Sequence, residues 1–257
     1  MAPELPGPAD NKPAADLAEE SGCIPLPQND SEAWFQDATA YEIFVRSFYD
    51  SDGDGIGDFK GVTARLDYLN DGDDETDQDL GVSLLWLMPI SPSPSYHGYD
   101  VTDYRAVNPD YGTQEDFDEL MEEAHKRGIK VVVDLVLNHS SSQHPWFLAS
   151  KDPASPKRDW YVWSDEALDW PRPFGGSSNT WHKSGKHWYY AIFWGGMPDL
   201  NYTTPAVRKE MADVAAWWLT ERKVDGFRLD AVRYLVEDGK DGLQDIPATL
   251  EYWSEFA

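Results

Sequence analysis

Residues 226–235 read GFRLDAVRYL and place an arginine and an aspartate two positions apart in an apolar run. Alternate residues of a β-strand point to the same face, so Arg228 and Asp230 are expected to lie side by side. Burying a carboxylate among apolar neighbours is costly unless it is paired, and a nearby cation lowers its pKa. Arg228 would therefore hold Asp230 ionised and oriented. Such an aspartate can act as a nucleophile, although a buried structural ion pair is the alternative.

A second set of chemical groups occupies residues 50–58, where the sequence DSDGDGIGD alternates aspartates with other residues. Oxygen ligands at alternate positions around a glycine turn are typical of calcium sites, so we predict calcium as a cofactor. Four carboxylates packed this closely repel one another unless a cation neutralises them. The alternative is a solvated acidic turn, because Asp and Gly are common in turns. The predicted metal ligands are Asp50, Asp52, Asp54, Asp58 and the backbone carbonyl of Ile56.

Two further motifs combine aromatic and polar groups. In YHGYDVTDY (residues 96–104), three tyrosines stand beside a histidine and two aspartates. Flat aromatic faces next to hydrogen-bonding groups suit sugars, although an ordinary aromatic loop is the alternative. In DLVLNH (residues 134–139), an apolar strand ends in Asn138 and His139. The histidines show no zinc-ligand spacing and the chain has one cysteine, which argues against a zinc site.

The composition limits the classes of partner. The 257-residue chain has a formal net charge of −26, which argues against nucleic acid and anionic membranes and leaves neutral ligands and divalent cations. No apolar run approaches the ~20 residues of a membrane-spanning helix. Cys23 is the single cysteine, so no internal disulfide is expected.

Strand and helix patterns alternate along the chain. Apolar or β-branched runs predict four strands, at residues 40–48, 82–90, 129–137 and 224–232. Helical spacing predicts helices over residues 59–69, from the capping box of Thr113 and Asp116 to Gly128, and from the N-cap Thr204. Residues 140–202 hold seven of the 12 tryptophans without a clean period, and most of these tryptophans are expected to be core.

Repeated strand–helix units imply a parallel sheet with right-handed crossovers, and either an open doubly wound sheet or a (β/α)8 barrel fits. The glycines at residues 53–61 do not form a GxGxxG fingerprint, which weakens a dinucleotide site. Polar residues follow the third and fourth strands, where a barrel builds its site. We expect four segments: a flexible leader (1–33), strands one to three (34–139), an inserted domain (140–202) and a continuation with strand four (203–257).

Together these motifs resemble the α-amylase family of glycoside hydrolases, glycoside hydrolase family 13. DLVLNH is similar to its first signature region, GFRLDAV to its second and YHGYD to its sugar-stacking loop. MPDLN (residues 197–201) resembles the motif that ends the family's inserted domain. It looks like the variant of a subgroup intermediate between oligo-1,6-glucosidases and neopullulanases. The resemblance runs from about Trp34 to residue 257.

The resemblance implies an α/β fold, namely the N-terminal half of a (β/α)8 TIM barrel with a small domain inserted after the third strand. It implies a retaining glycoside hydrolase whose substrates are α-glucans or maltooligosaccharides. Asp230 would form the covalent glycosyl intermediate, and Arg228 would orient it. The implied substrate-binding or supporting residues are Tyr99, Asp100, His139, Asp134 and Asn138.

A retaining glycosidase also needs a general acid, with the two carboxyl groups about 5 Å apart. The resemblance places that acid on a glutamate at the end of a fifth strand. Glu237, Glu251 and Glu255 follow Asp230, but none of them follows a new buried strand. We therefore expect the N-terminal half of a larger enzyme, inactive alone. The alternatives are a non-catalytic sugar- or metal-binding remnant and a transglycosylase of the same family.

Overall fold

The structure is a computed structural model that describes residues 34–73, 75–176 and 179–257. The predicted leader, residues 1–33, lies outside the described residues. In chain order, the strands are β1 (Ala40–Ile43), β2 (Leu84–Leu87), β3 (Lys130–Leu135), β4 (Trp163–Ser164), β5 (Trp181–Ser184), β6 (His187–Tyr190) and β7 (Gly226–Leu229). The helices are α1 (Val45–Phe48), α2 (Phe59–Thr63), α3 (Leu66–Leu69), α4 (Gln114–Lys126), α5 (Pro145–Ser150), α6 (Pro205–Thr220) and α7 (Pro247–Phe256). Short 3-10 turns cover Trp34–Gln36, Pro109–Tyr111 and Arg158–Trp160.

The main sheet has four parallel strands in the order β1-β2-β3-β7. Helices connect each strand to the next, so the alternation of the sequence becomes strand–helix units of one parallel sheet. The two central strands are the more buried ones: four of the six residues of β3 and two of the four of β2 are buried, whereas β1 buries Ile43 alone and the residues of β7 are all half-buried. Among the residues that the structure describes, β1 and β7 form the two edges, and the sheet does not close on itself.

Local sequence signals determine where helix α4 begins and ends. Thr113 Oγ1 accepts the Asp116 N–H at 3.2 Å, and Asp116 Oδ2 accepts the Thr113 N–H at 2.8 Å, which is the predicted capping box. Gly128 follows the helix with φ of +73°, a conformation that favours glycine. The apolar stripe of the helix is buried in the main core: Phe117, Leu120, Met121 and Ala124.

Two predictions of local structure were wrong. The strand predicted over residues 40–48 ends at Ile43, and residues 45–48 form helix α1. The chain that follows folds back onto this turn: the Gly57 N–H donates to Arg46 O at 2.7 Å, and a Cβ on Gly57 would lie 2.1 Å from Val45 O. The helix predicted over residues 59–69 is two short helices, α2 and α3, because the backbone leaves helical geometry at Arg65, with ψ of 7°.

The segment of residues 140–202 contains a second sheet, antiparallel, in the order β4-β6-β5. Part of the segment packs into the main core through residues such as Phe147, Tyr161 and Leu200. A separate small cluster is built around Trp181, Tyr190, Ile192 and Leu243. The segment is therefore attached to the parallel sheet by shared core residues.

Six of the seven tryptophans in this segment are buried or half-buried against one of the two clusters, and Trp194 is 49% exposed. The expectation that most of them are core is confirmed. Within the described residues, no helix is both long enough and apolar enough to cross a bilayer.

Candidate active site

The candidate site lies at the carboxyl ends of β3 and β7. The parallel register places Asp134 directly opposite Arg228. One residue beyond β7, the Asp230 N–H donates to Leu135 O at 3.3 Å, so the ladder continues past the strand end and carries Asp230 with it. A carboxyl end of adjacent parallel strands is where such sheets place their functional residues.

Arg228 joins two carboxylates. Its Nη1 atom lies 2.8 Å from Asp134 Oδ1 and 2.7 Å from Asp230 Oδ1. The side chain of Asp134 is 0% exposed and that of Asp230 is 19% exposed. The side-by-side arrangement predicted for Arg228 and Asp230 is present, and Asp134 is a second partner of the same guanidinium.

The pKa values of both carboxyl groups are raised, which for Asp230 differs from the sequence-based expectation. Burial raises the pKa of Asp134 to about 6, although Arg228 and the Trp86 indole oppose this shift. Burial also raises the pKa of Asp230, and the charge and hydrogen bond of Arg228 and the Ala231 N–H only partly offset it. The arginine was expected to lower the pKa of Asp230, but desolvation of the carboxylate outweighs its attraction.

The backbone is strained next to Asp230. Ala231 has φ of +53°, a left-handed conformation that costs free energy for a residue with a side chain. Such strain persists where the surrounding structure over-determines it, and it clusters at functional sites.

A cavity of about 290 Å³ opens beside Asp230. Apolar and aromatic groups make most of its wall, with a few polar groups among them, as is usual for small-molecule sites. The lining residues are His97, Tyr99, His139, Phe193, Trp194, Met197 and Asp230. Three predicted site residues therefore meet at one cavity: Tyr99, His139 and Asp230.

His139 borders the cavity with a neutral ring. Burial lowers its pKa to about 3, so the imidazole carries no charge at neutral pH. Its Nε2 atom is buried and has no hydrogen-bond partner, whereas its Nδ1 atom lies 3.3 Å from Asn138 Nδ2. The ring also contacts Phe193 edge-on at 5.2 Å between centroids. His139 thus brings a buried, unpartnered ring nitrogen to the wall of the cavity, and a buried polar atom without a partner is uncommon in a folded protein.

Tyr99 reaches the carboxylate that supports Arg228. Its hydroxyl lies 3.3 Å from Asp134 Oδ2, and its ring lines the cavity. Burial and the nearby Asp134 raise its pKa, so the phenol stays protonated and able to donate.

The other three predicted substrate-binding residues do not line the cavity: Asp134, whose contacts are given above, Asp100 and Asn138. Asp100 is 3% exposed, and its Oδ1 atom accepts the hydroxyls of Ser93, at 2.5 Å, and Ser95. Asn138 is fully buried and donates to Asp199 Oδ2 at 3.0 Å. Both residues hold the loops behind the cavity wall.

Part of the cavity wall comes from residues 193–197, FWGGM; sequence reasoning named none of these residues individually as a site residue, although Met197 begins the MPDLN motif. The Tyr189 hydroxyl donates to Gly195 O at 2.6 Å and anchors this turn to strand β6. A Cβ on Gly196 would lie 2.2 Å from the Trp194 ring, so the indole packs directly on the glycine. The two adjacent glycines beside two aromatic residues were the available signal. Trp86 was also missed, because a tryptophan inside an apolar strand is indistinguishable from core in a sequence.

The acidic loop brings together three of its four predicted aspartates. One carboxylate oxygen from each of Asp50, Asp52 and Asp58 lies within 4.8 Å of the others. Asp54 is outside this group, and its Oδ1 atom accepts the Ile56 N–H at 2.7 Å. Asp50 accepts the N–H groups of glycines 53 and 55 at 2.6 and 2.8 Å, which lower its pKa.

The three glutamates that follow Asp230 in the chain do not line the cavity. Burial raises the pKa of Glu237 to about 7, in the loop after β7. Glu251 is exposed on helix α7, and Glu255 pairs with Arg208 at 2.7 Å. Among the described lining residues, Asp230 is the one carboxyl group.

Comparison with known proteins matches this chain to the family described as "Alpha amylase, catalytic domain" over residues 42–257. Alpha-amylase 3 of Dictyoglomus thermophilum is 47% identical over 227 residues, which cover 88% of this chain and 41% of that protein. Trehalose synthase of Thermus thermophilus is 43% identical over 225 residues, which cover 85% of this chain and 22% of that protein. The chain thus spans less than half the length of these relatives.

Among solved structures, the alpha-amylase from H. orenii superposes with a TM-score of 0.77 at 52% identity, covering 85% of this chain and 44% of that chain. The prediction of the N-terminal half of a (β/α)8 barrel is confirmed, with four parallel strands present and the barrel not closed. The family match, the close relatives and the shared fold agree, and the chain belongs to the α-amylase family of glycoside hydrolases.

Proposed function

We propose that this chain carries the nucleophile half of a retaining glycosidase that acts on α-linked glucans, with maltooligosaccharides as substrates. The observation that carries the proposal is the position of Asp230. It is the one carboxyl group on the described cavity lining, and Arg228 holds its Oδ1 atom at 2.7 Å. The relatives named above support the substrate class through the activity in their names.

In this mechanism, a carboxylate oxygen of Asp230 attacks the anomeric carbon, the glycosidic bond breaks, and a glycosyl ester forms on the enzyme. Water then attacks the same carbon and releases the sugar with its configuration retained. Arg228 fixes the direction of the carboxylate, because one guanidinium nitrogen bridges it to the buried Asp134. The neutral His139 and the Tyr99 ring supply the hydrogen-bonding and stacking contacts for the sugar.

The proposed mechanism also requires a general acid that protonates the departing glycosidic oxygen. Protonation of the departing oxygen contributes roughly 10²–10⁴-fold to such a reaction. The described cavity lining offers Asp230 and no second carboxyl group. We infer that the 257-residue chain alone does not turn over glucans, and that the acid comes from a part of the enzyme not contained in it.

A second candidate activity is glycosyl transfer by the same intermediate. The chain is 43% identical to a trehalose synthase over 225 residues, which favours transfer to a sugar as an alternative to water. A hydrolase and a transglycosylase share the first step at Asp230 and differ in the acceptor that attacks the ester. Product analysis at high maltose concentration separates the two, because transfer yields new disaccharides or longer chains.

We also propose that calcium binds the loop of residues 50–58. Asp50, Asp52 and Asp58 converge, which puts three negative charges next to one another and fits a hard divalent cation. Asp54 and the Ile56 carbonyl, the other predicted ligands, stand in the same loop. A bound ion there would stabilise the native fold by mass action, away from the reacting atoms.

The covalent step can be tested with a fluorinated glucosyl fluoride, which forms the glycosyl ester quickly and releases it slowly. Mass spectrometry of the digested full-length protein should find the added sugar on the peptide that contains Asp230. NMR of the first product of maltoheptaose hydrolysis should show the α-anomer. An inverted first product, or a label on another carboxyl group, would contradict the assignment.

A further inference from the structure

The mechanism above leaves one close neighbour of the charged groups unexplained, the tryptophan in the middle of strand β2. Trp86 Nε1 donates to Asp134 Oδ2 at 3.0 Å. The Arg228 guanidinium carbon lies 5.0 Å from the centroid of the Trp86 ring. One side chain therefore contacts both partners of the ion pair that holds Asp230.

The two oxygens of Asp134 have different tasks. Oδ1 accepts from Arg228 at 2.8 Å, and Oδ2 accepts from Trp86 at 3.0 Å and from the Tyr99 hydroxyl at 3.3 Å. The carboxylate is fully buried, so water cannot replace a missing donor at no cost. The indole N–H therefore helps to fix the plane of the carboxylate through Oδ2, while Arg228 holds Oδ1.

The ring of Trp86 supports the guanidinium as well. A cation over an indole face is attracted by the ring, and the contact restricts the conformations of the arginine side chain. Arg228 is 37% exposed, so its position depends on these neighbours more than on enclosure. The guanidinium is held by an aromatic face and by two carboxylates.

We propose that Trp86 is a positioning residue for Asp230, acting through Asp134 and Arg228. The inference rests on the proposed function, in which Asp230 is the nucleophile. The indole N–H keeps Asp134 in the ionised form that binds Arg228, and the ring keeps the guanidinium in line with the nucleophile. Without the N–H, Asp134 takes up a proton more readily, and Arg228 loses one of its two anionic partners.

The groups that face Asp134 define the pH range of this effect. Trp86 and Tyr99 face it from the β2 side, and Arg228 and Asp230 from the β7 side. Burial and the charge of Asp230 favour the protonated form of Asp134, while Arg228 and the Trp86 N–H oppose it, and the resulting pKa is about 6. Removing one donor moves the pKa of Asp134 upward, toward neutral pH.

The test compares two tryptophan-to-phenylalanine variants in the full-length protein. Trp86→Phe keeps a ring and removes the N–H at Asp134. The matched control is Trp218→Phe, because Trp218 is 3% exposed and donates its N–H to Tyr104 O at 2.9 Å, away from Arg228 and Asp230. The measurement is kcat/KM for maltoheptaose as a function of pH.

For Trp86→Phe, we expect the acid limb of the profile to move to higher pH by about one unit, a roughly tenfold loss below the limb and a smaller loss above it. Trp218→Phe should leave the position of the limb unchanged, even if it lowers the Tm. An unmoved limb in an active Trp86→Phe protein, or a loss that is equal at all pH values, would overturn the inference. Absence of turnover by the unmodified full-length protein would instead overturn the proposed function and this inference with it.

A second measurement needs no change at Trp86. The indole N–H resonance of Trp86 in ¹⁵N-labelled protein should shift as Asp134 titrates between about pH 4 and pH 8. Asp134→Asn should abolish that shift, and Trp86→Phe assigns the resonance wherever the variant folds. An indole resonance that stays constant over this range would show that the N–H does not respond to Asp134, and would overturn the inference.

Discussion

Asp134 and Asp230 share a single nitrogen of Arg228, since Nη1 lies 2.8 Å from Oδ1 of the first and 2.7 Å from Oδ1 of the second. The register of β3 and β7 sets Asp134 opposite Arg228, and this pairing brings the two carboxylates to the same guanidinium. A change in the charge of Asp134 is therefore transmitted to Asp230 through one guanidinium. This shared nitrogen couples the deeply buried end of the site to the carboxylate at the cavity.

Replacing Asp230 by asparagine should remove catalysis while leaving the sugar site in place. An amide cannot form the glycosyl ester, so we expect kcat of the full-length enzyme to fall by at least roughly 10³-fold with KM little changed. Steady-state kinetics on maltoheptaose gives both parameters. Turnover within a few-fold of the unmodified protein would show that another group is the nucleophile.

Gly196→Ala should weaken sugar binding through Trp194. The added Cβ would lie 2.2 Å from the indole ring, so the ring must leave its place at the cavity wall. We expect KM for maltooligosaccharides to rise roughly tenfold, since a contact of this size is worth about 1.5 kcal/mol. Gly226→Ala is the control, because its Cβ would lie 3.5 Å from Val132, an ordinary contact. Equal KM values for the two variants would argue against Trp194 as part of the sugar site.

The stability of the fold at acid pH should depend on Asp225. Burial raises the pKa of Asp225. The hydrogen bonds from His125, Lys130 and the Val131 N–H together outweigh burial, so the pKa is lowered overall. A carboxyl group with a lowered folded-state pKa stabilises the fold above its unfolded pKa of about 3.9, and this stability is lost as pH falls.

Asp225→Asn should therefore lower the free energy of unfolding by about 2 kcal/mol at neutral pH and reduce its fall below about pH 4. Urea unfolding at several pH values measures both effects. Asp213→Asn, which removes an exposed i,i+4 partner of Lys209, is the control and should cost no more than about 0.5 kcal/mol. A similar pH dependence in both variants would refute the role of Asp225.

Calcium binding should require Asp52. Calorimetry on the full-length protein is expected to detect calcium binding that raises the Tm and that Asp52→Ala abolishes, because one of three converging carboxylates is lost. Asp73→Ala, in the acidic turn after α3, removes the same charge outside this group and should leave binding intact. Unchanged calcium affinity in Asp52→Ala would remove the loop from consideration as a metal site.

The purified 257-residue chain should not release reducing ends from maltoheptaose, even with calcium present. The described cavity lining contains Asp230 without a second carboxyl group to protonate the leaving oxygen. Product that appears with this chain and disappears in Asp230→Ala would mean that Glu237, Glu251 or Glu255 reaches the cavity.

Much of the parallel sheet could be predicted from the sequence because the signals are local. Continuous apolar runs, the capping box of Thr113 and Asp116, and a glycine after α4 each act within a few residues of chain. The pairing of Arg228 with Asp230 is also local, since the two residues are two positions apart. The motifs in their order further predicted the family, which the comparisons confirmed.

Tertiary contacts decided the parts that the sequence predicted wrongly or missed. Residues 45–48 form a helix where the loop that carries Gly57 folds back onto them. That contact joins residues about ten positions apart, so a local sequence pattern does not reveal it. Burial raised the pKa of Asp230 in spite of its arginine, and burial depends on the whole fold.

Trp86 and Trp194 show the same limit. Trp86 is half-buried in β2 and contacts Asp134 and Arg228, which belong to two other strands. Trp194 packs onto Gly196 at the cavity. The sequence determined the four strands of the parallel sheet and the motifs of the site, but not the three antiparallel strands of residues 140–202. The three-dimensional packing decided which side chains meet at Asp230, because hydrogen bonds and desolvation act over a few ångströms of space between residues far apart in the chain.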